Sequence, residues 1–208
     1  MTGETYRTVE GRGESAFEVR GSEFVGHARP VRSVEAAEEF VDAVEAEYAD
    51  ATHNVPAYRV RAGAGDGTPG GHLLREYSSD DGEPTGSAGK PALNVLIQRD
   101  LENVAAVVTR YYGGTNLGVG GLARAYSRGV KEAVDDAGVT EREPRETVVV
   151  NVEYDDSGTV RSILESEGVD FEAEYEAAVR FEALVARVEA SDLRDRIRSA
   201  TSGRAEIS

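Results

Sequence analysis

Apolar residues recur along the chain with two different periods. Alternation every second residue predicts strands at 15–19, 24–31, 56–62, 72–77 and 103–112. Spacing of three and four residues predicts helices at 91–98, at 121–137 and directly after Ser33, which suits the N-cap of the first helix. Between these elements, the glycine-rich segments 63–71 and 80–89 predict loops.

A second set of elements follows the charged segment 141–146. The pattern predicts strands at 147–154, 169–175, 177–188 and 204–207, and helices at 157–167 and 191–200, the last capped by Ser191. The order βαββαβ is typical of a ferredoxin-like domain. We therefore expect an α+β protein with two domains, residues 1–140 and 141–208. From residue 147 onward there is no His, no Lys and no glycine-rich loop, which favours a docking or spacer role for the second domain.

Composition narrows the possible functions. The 208 residues include no Cys, which excludes disulfides, thiolate zinc sites and a Cys nucleophile. The segment 1–12 is polar and no apolar run approaches the length of a bilayer span, so we expect a cytoplasmic protein without membrane contact. The net charge of −16 comes from dispersed acids, and Arg outnumbers Lys 21 to 2, a pattern that resembles proteins of salt-accumulating halophiles.

If the composition reflects a salty environment, only the local charge around a site carries information about ligands, and molar salt screens even that beyond ~3 Å. The segment from Lys90 to Lys131 contains six basic residues and two acidic ones, which gives it a net charge of +4. An anionic ligand would be most stable beside this basic island.

The island contains a predicted strand that runs through five glycines into a helix, over residues 107–126. Backbone N–H groups at such a helix N-terminus favour a phosphate. On the helix that follows, Arg124, Arg128 and Lys131 form one stripe. A solvated charged face is the ordinary explanation of a stripe, but in this chain such faces usually carry carboxylates. The predicted anion or nucleic-acid contacts are Lys90, Arg110, Tyr111, Gly113, Gly114, Asn116, Gly118, Gly120, Gly121, Arg124, Tyr126 and Arg128.

Neither common nucleotide-binding loop fits this segment. Five residues separate Tyr112 from Gly118, whereas a dinucleotide fingerprint follows its strand directly. A Walker loop needs Ser or Thr after its Gly-Lys pair, and this chain has Pro91 there.

The second glycine-rich loop, 80–91, carries the carboxylates of Asp80, Asp81 and Glu83 together with two hydroxyls. These groups suit a hard cation such as Mg²⁺ or a general base. Acids that cap neighbouring backbone N–H groups are an equally good explanation. His27 and His53 have no second ligand at metal spacing and are interpreted as hydrogen-bonded structural histidines.

The segments 80–91 and 107–126 together resemble the signature of the YigZ/IMPACT family, and the match extends to 22–30 and 51–59. The resemblance covers roughly residues 15–138, and the βαββαβ tail resembles the smaller C-terminal domain of the prokaryotic members. It implies an N-terminal α/β domain of the ribosomal-protein and elongation-factor type, followed by a ferredoxin-like domain. The family's motif residues fall at Asp80, Asp81, Glu83, Lys90, Thr109, Arg110, Tyr111, Asn116, Arg124 and Tyr126.

For the prokaryotic members, the resemblance implies a role in translation or RNA binding without an established reaction. Eukaryotic relatives regulate translation initiation by protein contacts that use an additional domain. The leading hypothesis is therefore a translation-associated protein that binds RNA or the ribosome through an anion-binding glycine-rich cleft, with Tyr111, Tyr112 and Tyr126 stacking on unpaired bases.

Two alternatives remain open. One is a metal-assisted hydrolase or phosphotransferase that acts on a phosphorylated substrate, with Mg²⁺ on the acidic loop. The other is an adaptor whose C-terminal domain binds protein partners. The shared-cleft hypothesis predicts that the segments 80–90 and 110–124 meet in space. Separately, the charge of the basic island predicts that replacing Arg110 or Arg124 by Glu abolishes the binding of RNA or of an anionic ligand without unfolding the protein.

Overall fold

The computed structural model describes residues 5–62 and 73–208. It divides into two compact units, Tyr6–Glu141 and Arg142–Ser208, and each is described by itself. The loop predicted at 63–71 lies outside the described residues.

The larger unit is built on one antiparallel sheet. Its elements are β1 (Tyr6–Val9), β2 (Gly13–Val19), β3 (Ser22–Pro30), α1 (Val34–Glu47), β4 (His53–Ala62), β5 (Leu73–Ser78), α2 (Gly89–Gln98), β6 (Val104–Tyr111), α3 (Val119–Ala137) and β7 (Val139–Arg142). Five strands pair in the order β2-β3-β6-β4-β5, and β1 pairs with β7 in a separate ribbon.

The central strand β6 is buried on both faces, which explains its nearly unbroken apolar sequence. Val104, Ala106 and Val108 point towards α2 and α3. Ala105 and Val107 pack on the opposite side with α1. The unit therefore has three layers, and Arg110 follows the alternation onto the face that α3 covers.

Helix α3 approaches the sheet closely because glycines line the crossing. A Cβ at Gly26 of β3 would lie 2.5 Å from the carbonyl oxygen of Gly129 in α3, and a Cβ at Gly13 would lie 2.1 Å from that of Ala133. This contact fixes the position of the basic helix on the sheet.

The structure confirms several predicted boundaries in the larger unit. Ser33 caps α1 through a hydrogen bond from the backbone N–H of Ala36. Helix α3 ends at Gly138, whose φ of 73° suits glycine. The strands β1 and β7 were not predicted, because they are four residues each and mostly polar.

The two histidines differ from one another. His53 is hydrogen-bonded as predicted, since its Nδ1 lies 2.5 Å from the carbonyl oxygen of Asp81. For His27 the prediction is wrong: among the described residues neither ring nitrogen has a hydrogen-bond partner, and burial lowers its pKa. His27 instead packs beside the ring of Tyr48, at 5.1 Å between centroids.

The smaller unit has the predicted order βαββαβ. Its elements are β8 (Arg145–Val152), α4 (Tyr154–Ser166), β9 (Asp170–Tyr175), β10 (Val179–Ala186), α5 (Arg187–Ala200) and β11 (Glu206–Ile207). The strands pair in the antiparallel order β11-β8-β10-β9, and both helices pack on one face over Val150, Phe181 and their neighbours. The mixed helix-and-sheet class is thus confirmed.

The predicted cap of the last helix is wrong. Ser191 lies within α5, which begins after Ala186 without a side-chain cap. The helix extends upstream because Ala190 joins Leu193 and Ile197 in one buried stripe. Across residues 5–62 and 73–208, the helices contain no stretch that would qualify as a bilayer span.

We expect Gly26→Ala to destabilise the larger unit by about 1–3 kcal/mol, because the added methyl group would meet the backbone of Gly129. Gly11→Ala is the matched control: a Cβ there meets nothing within 4 Å, and we expect a change of at most about 1 kcal/mol, in the stabilising direction. Urea unfolding followed by circular dichroism measures both. Equal stabilities for the two variants would contradict the close crossing.

Candidate nucleic-acid interface

The acidic loop before α2 is held together by its own first carboxylate. Asp80 accepts hydrogen bonds from the backbone N–H groups of Gly86 at 2.6 Å, Ala88 at 3.0 Å and Gly89 at 2.9 Å. Burial opposes the ionisation of Asp80, but these donors outweigh it and lower the pKa of the carboxyl below its usual value. Asp80 therefore supplies the negative charge at the N-terminus of α2.

The second acid joins the loop to the sheet. The carboxylate of Asp81 accepts from the backbone N–H of Asn54 at 2.5 Å, and its carbonyl oxygen contacts His53. The backbone turns here through Asp81 and Gly82, whose φ values are 44° and 82°. Both contacts anchor the loop on β4.

The third acid is buried in a network with Arg110 and Tyr126. Oε1 of Glu83 accepts from Nη1 of Arg110 at 2.6 Å and from the hydroxyl of Tyr126 at 2.7 Å. Nε2 of His53 lies 3.9 Å from the same oxygen. Burial, and then the bond to Glu83, raise the pKa of Tyr126 far above its usual value. The Tyr126 hydroxyl is therefore a fixed donor.

The two glycine-rich segments thus meet in space, as the shared-cleft hypothesis predicts, through the contact between Glu83 and Arg110. The contact is an internal ion pair, however, and the Arg110 side chain is only 5% exposed. Replacing Arg110 by Glu would place two carboxylates together in a buried site, so we now expect this variant to lose stability rather than to keep its fold.

The three predicted cation ligands each bind a different partner within the protein. Asp80 caps backbone groups, Asp81 binds Asn54 and Glu83 pairs with Arg110. In the part of the chain that the structure describes, no three His, Cys, Asp or Glu side chains are grouped so that they could hold a metal ion.

The glycine loop after β6 is anchored at one end. Oγ of Ser22 accepts from the backbone N–H of Gly113 at 3.1 Å and from Nη2 of Arg110 at 3.2 Å. A Cβ at Gly113 would lie 1.8 Å from the carbonyl oxygen of Gly21, so only glycine fits. Sequence reasoning missed Ser22, although it opens one of the matched segments.

The remainder of the loop is exposed. Gly114 and Gly118 have φ values of 81° and 69°, and Gly120 is exposed in the first turn of α3. The hydroxyl of Tyr112 donates to Oδ1 of Asn116 at 3.4 Å. The exposed ring of Tyr112 lies 5.2 Å from the Arg110 guanidinium, while the Tyr111 hydroxyl binds Asp50 at 2.9 Å.

The N-termini of the two helices in this region have different hydrogen-bond partners. Asp80 satisfies the N-terminus of α2, whereas Gly118 caps α3 without any side-chain hydrogen bond. Helix α3 therefore presents the positive end of its dipole next to the exposed glycines.

Two arginines of α3 form a ridge between two cavities. Arg124 and Arg128 line a cavity of about 290 Å³, together with Arg20 and Leu117. They also line a groove of about 950 Å³ between α2 and α3, whose other basic residues are Arg99 and Lys131. We call the pair Arg124 and Arg128 the arginine ridge.

The members of the ridge have different partners. Among the described residues, no carboxylate pairs with Arg124, whose Nη1 lies 3.5 Å from the position of a Cβ at Gly120. Arg128 pairs with Glu132 at 2.7 Å and lies over the ring of Phe17 at 4.1 Å. Lys90 is exposed on the first turn of α2.

We expect Arg110→Met to lower the free energy of unfolding by about 3–5 kcal/mol, because it leaves Glu83 buried without its partner. The double variant Arg110→Met/Glu83→Gln loses less than the sum of the two single variants. Arg128→Met at the exposed pair is the control, with a loss below about 1 kcal/mol. Equal losses for the two Arg→Met variants, measured by urea unfolding, would contradict the structural role of the buried pair.

Both parts of the chain are similar to known protein families. Residues 20–134 match the Impact N-terminal domain, and residues 150–204 match a domain of unknown function, DUF1949. The chain is 35% identical over 204 residues to the IMPACT family member YvyE of Bacillus subtilis, covering 98% of this chain and 90% of that protein. It is 36% identical over 163 residues to the IMPACT family member YigZ of Escherichia coli, covering 78% and 76% respectively.

A solved structure described as that of a hypothetical protein is 30% identical and superposes with a TM-score of 0.71. The superposition covers 98% of this chain and 96% of that one. The chain therefore belongs to the IMPACT family.

Proposed function

We propose that this protein is a translation-associated factor that binds RNA, alone or within the ribosome, through the arginine ridge and the glycine loop. Arg124 carries the proposal: it is an exposed cation between two cavities, and among the described residues no carboxylate pairs with it. Other exposed arginines, such as Arg12 and Arg32, also lack a carboxylate partner among the described residues, so what distinguishes Arg124 is its position. It follows the N-terminus of α3 and shares one helix face with Arg128 and Lys131, a group of cations that favours an anionic ligand.

The N-terminus of α3 supports the same conclusion. One internal carboxylate, Asp80, already accepts from the N-terminus of α2, and another, Glu83, already pairs with Arg110. The N-terminus of α3 and Arg124 have no such internal anion among the described residues. A phosphate group supplies the charge and the acceptor oxygens that this end of the helix lacks.

The predicted contact residues then fall into two groups. Ten of them lie at or near the surface and can contact a ligand: Lys90, Tyr111, Gly113, Gly114, Asn116, Gly118, Gly120, Gly121, Arg124 and Arg128. The other two, Arg110 and Tyr126, are buried and hold the loop in place from beneath. Of the three tyrosines proposed to stack on bases, Tyr112 is the best placed because its ring is exposed.

We favour binding over catalysis. A metal-assisted hydrolase needs carboxylates available to a cation, and protein donors engage Asp80, Asp81 and Glu83. The association with translation rests on the family: the resemblance implies domains of the ribosomal-protein and elongation-factor type, with a ferredoxin-like second domain.

The smaller unit is proposed to bind protein rather than RNA. The sheet face opposite its helices carries Asp170, Glu172 and Glu174 on β9 and Glu182 on β10, and β10 also places Arg180 there, where it pairs with Glu174 and Glu182. These acids repel phosphate, so the partner of this face would be a basic protein surface.

Arg124→Ala is expected to lower the slope of log affinity against log salt concentration by ~0.7, which corresponds to one phosphate contact on a single strand. The measurement is fluorescence polarisation of a labelled RNA over a range of KCl concentrations. Arg180→Ala is the control, because Arg180 is exposed on the smaller unit and pairs with Glu174. An unchanged slope for Arg124→Ala would show that the ridge does not bind RNA.

Glu132→Gln should tighten RNA binding by up to about fivefold in the same assay, because Glu132 competes with phosphate for Arg128 across an exposed ion pair. Asp195→Asn removes the carboxylate of the comparable exposed pair with Arg198 on the smaller unit and should leave affinity unchanged. Weaker binding by Glu132→Gln would argue against a phosphate at Arg128.

A further inference from the structure

The groove between α2 and α3 has two chemically different walls. Ser127 of α3 donates to the carbonyl oxygen of Pro91 at 3.2 Å, and eight residues further along both segments Arg99 pairs with Asp135 at 2.6 Å. The two helices therefore run side by side in the same direction. The residues of α2 and α3 that face each other across the groove therefore keep the same sequence offset at both contacts.

The α3 wall is cationic where it begins. Arg124, Arg128 and Lys131 follow one another along about 10 Å of helix, at 1.5 Å of rise per residue. The acids that line the groove are Glu132, which pairs with Arg128, and Asp135, which pairs with Arg99. Among the residues that line the groove, Arg124 and Lys131 are therefore the two cations without a salt bridge to any described residue, and they lie about 10 Å apart along α3.

The α2 wall presents amides. Asn94 and Gln98 are both exposed, lie four residues apart on one helix face and line the groove. Between the walls, Pro91, Val95 and Ala123 supply an apolar surface against which a ring can pack. The groove volume of about 950 Å³ is at the upper end of the range for pockets that hold whole small molecules.

We propose that this groove binds single-stranded RNA with its phosphates on α3 and its bases on α2, and that Asn94 and Gln98 select adenine. A side-chain amide places a donor and an acceptor side by side, which matches N6 and N7 of adenine in a bidentate contact. In an A-form duplex that edge lies in a deep, narrow groove that side chains cannot reach, whereas an unpaired base exposes it. The inference rests on the proposed function, because the α3 wall must hold the phosphates.

The test compares labelled oligo(A), oligo(C) and oligo(U) RNA of equal length by fluorescence polarisation. The full-length protein is expected to bind oligo(A) at least about fivefold more tightly than the other two, the lower end for one amide–adenine pair. Asn94→Ala/Gln98→Ala should remove this preference and leave the salt slope unchanged. The control Asn151→Ala, an amide on β8 of the smaller unit, should keep it.

Several results would overturn the inference. One is that the unchanged protein binds the three oligonucleotides with equal affinity. Another is that the double variant keeps the preference for oligo(A). A third is that an A-form duplex binds as tightly as single-stranded oligo(A). If oligo-glutamate displaces the RNA and binds with the same affinity as the RNA, the groove is a site for acidic peptides instead. If RNA binds with a salt slope that depends on Arg124 but shows no base preference, the proposed function stands and only the base selection fails. If no oligonucleotide binds, both fail.

Discussion

The buried ion pair between Glu83 and Arg110 is the contact on which the architecture of the interface depends. It connects the acidic loop to the central strand, and the hydroxyl of Tyr126 extends the connection to α3. Two opposite charges taken out of water are stable only when both are engaged, so the pair resists any displacement of one segment from the other. The glycine loop follows Arg110 in the chain, so the ion pair also fixes the position at which the loop begins.

A second constraint is the close approach of glycines. Gly26 and Gly129 bring α3 onto the sheet, and Gly113 brings the loop onto the turn at Gly21. In both places a single methyl group would collide with backbone atoms. The arginine ridge is consequently carried by a helix whose position the sheet determines, and a surface of fixed geometry loses little conformational entropy when it binds.

The larger unit has one arginine and one helix N-terminus that are held by internal acids, and another of each that lie at the surface. Internal carboxylates satisfy the cation Arg110 and the N-terminus of α2. On the outside, the cation Arg124 and the N-terminus of α3 lack such partners among the described residues. Both glycine-rich segments lie within residues 20–134, which match the Impact N-terminal domain. The proposed RNA contacts all belong to the outer side.

Periodicity and cap chemistry in the sequence determined the positions of most helices and strands, the N-cap at Ser33 and the βαββαβ order of the smaller unit. These features are local, since each depends on residues within a few positions of one another. Only the tertiary structure decided that Arg110 and Tyr126 lie inside while Arg124 lies outside, because burial depends on what another segment places above a side chain. It likewise decided the partners of Asp81 and Glu83 and brought Asn94 and Gln98 opposite the basic helix, since these relations join residues about 25 to 45 positions apart.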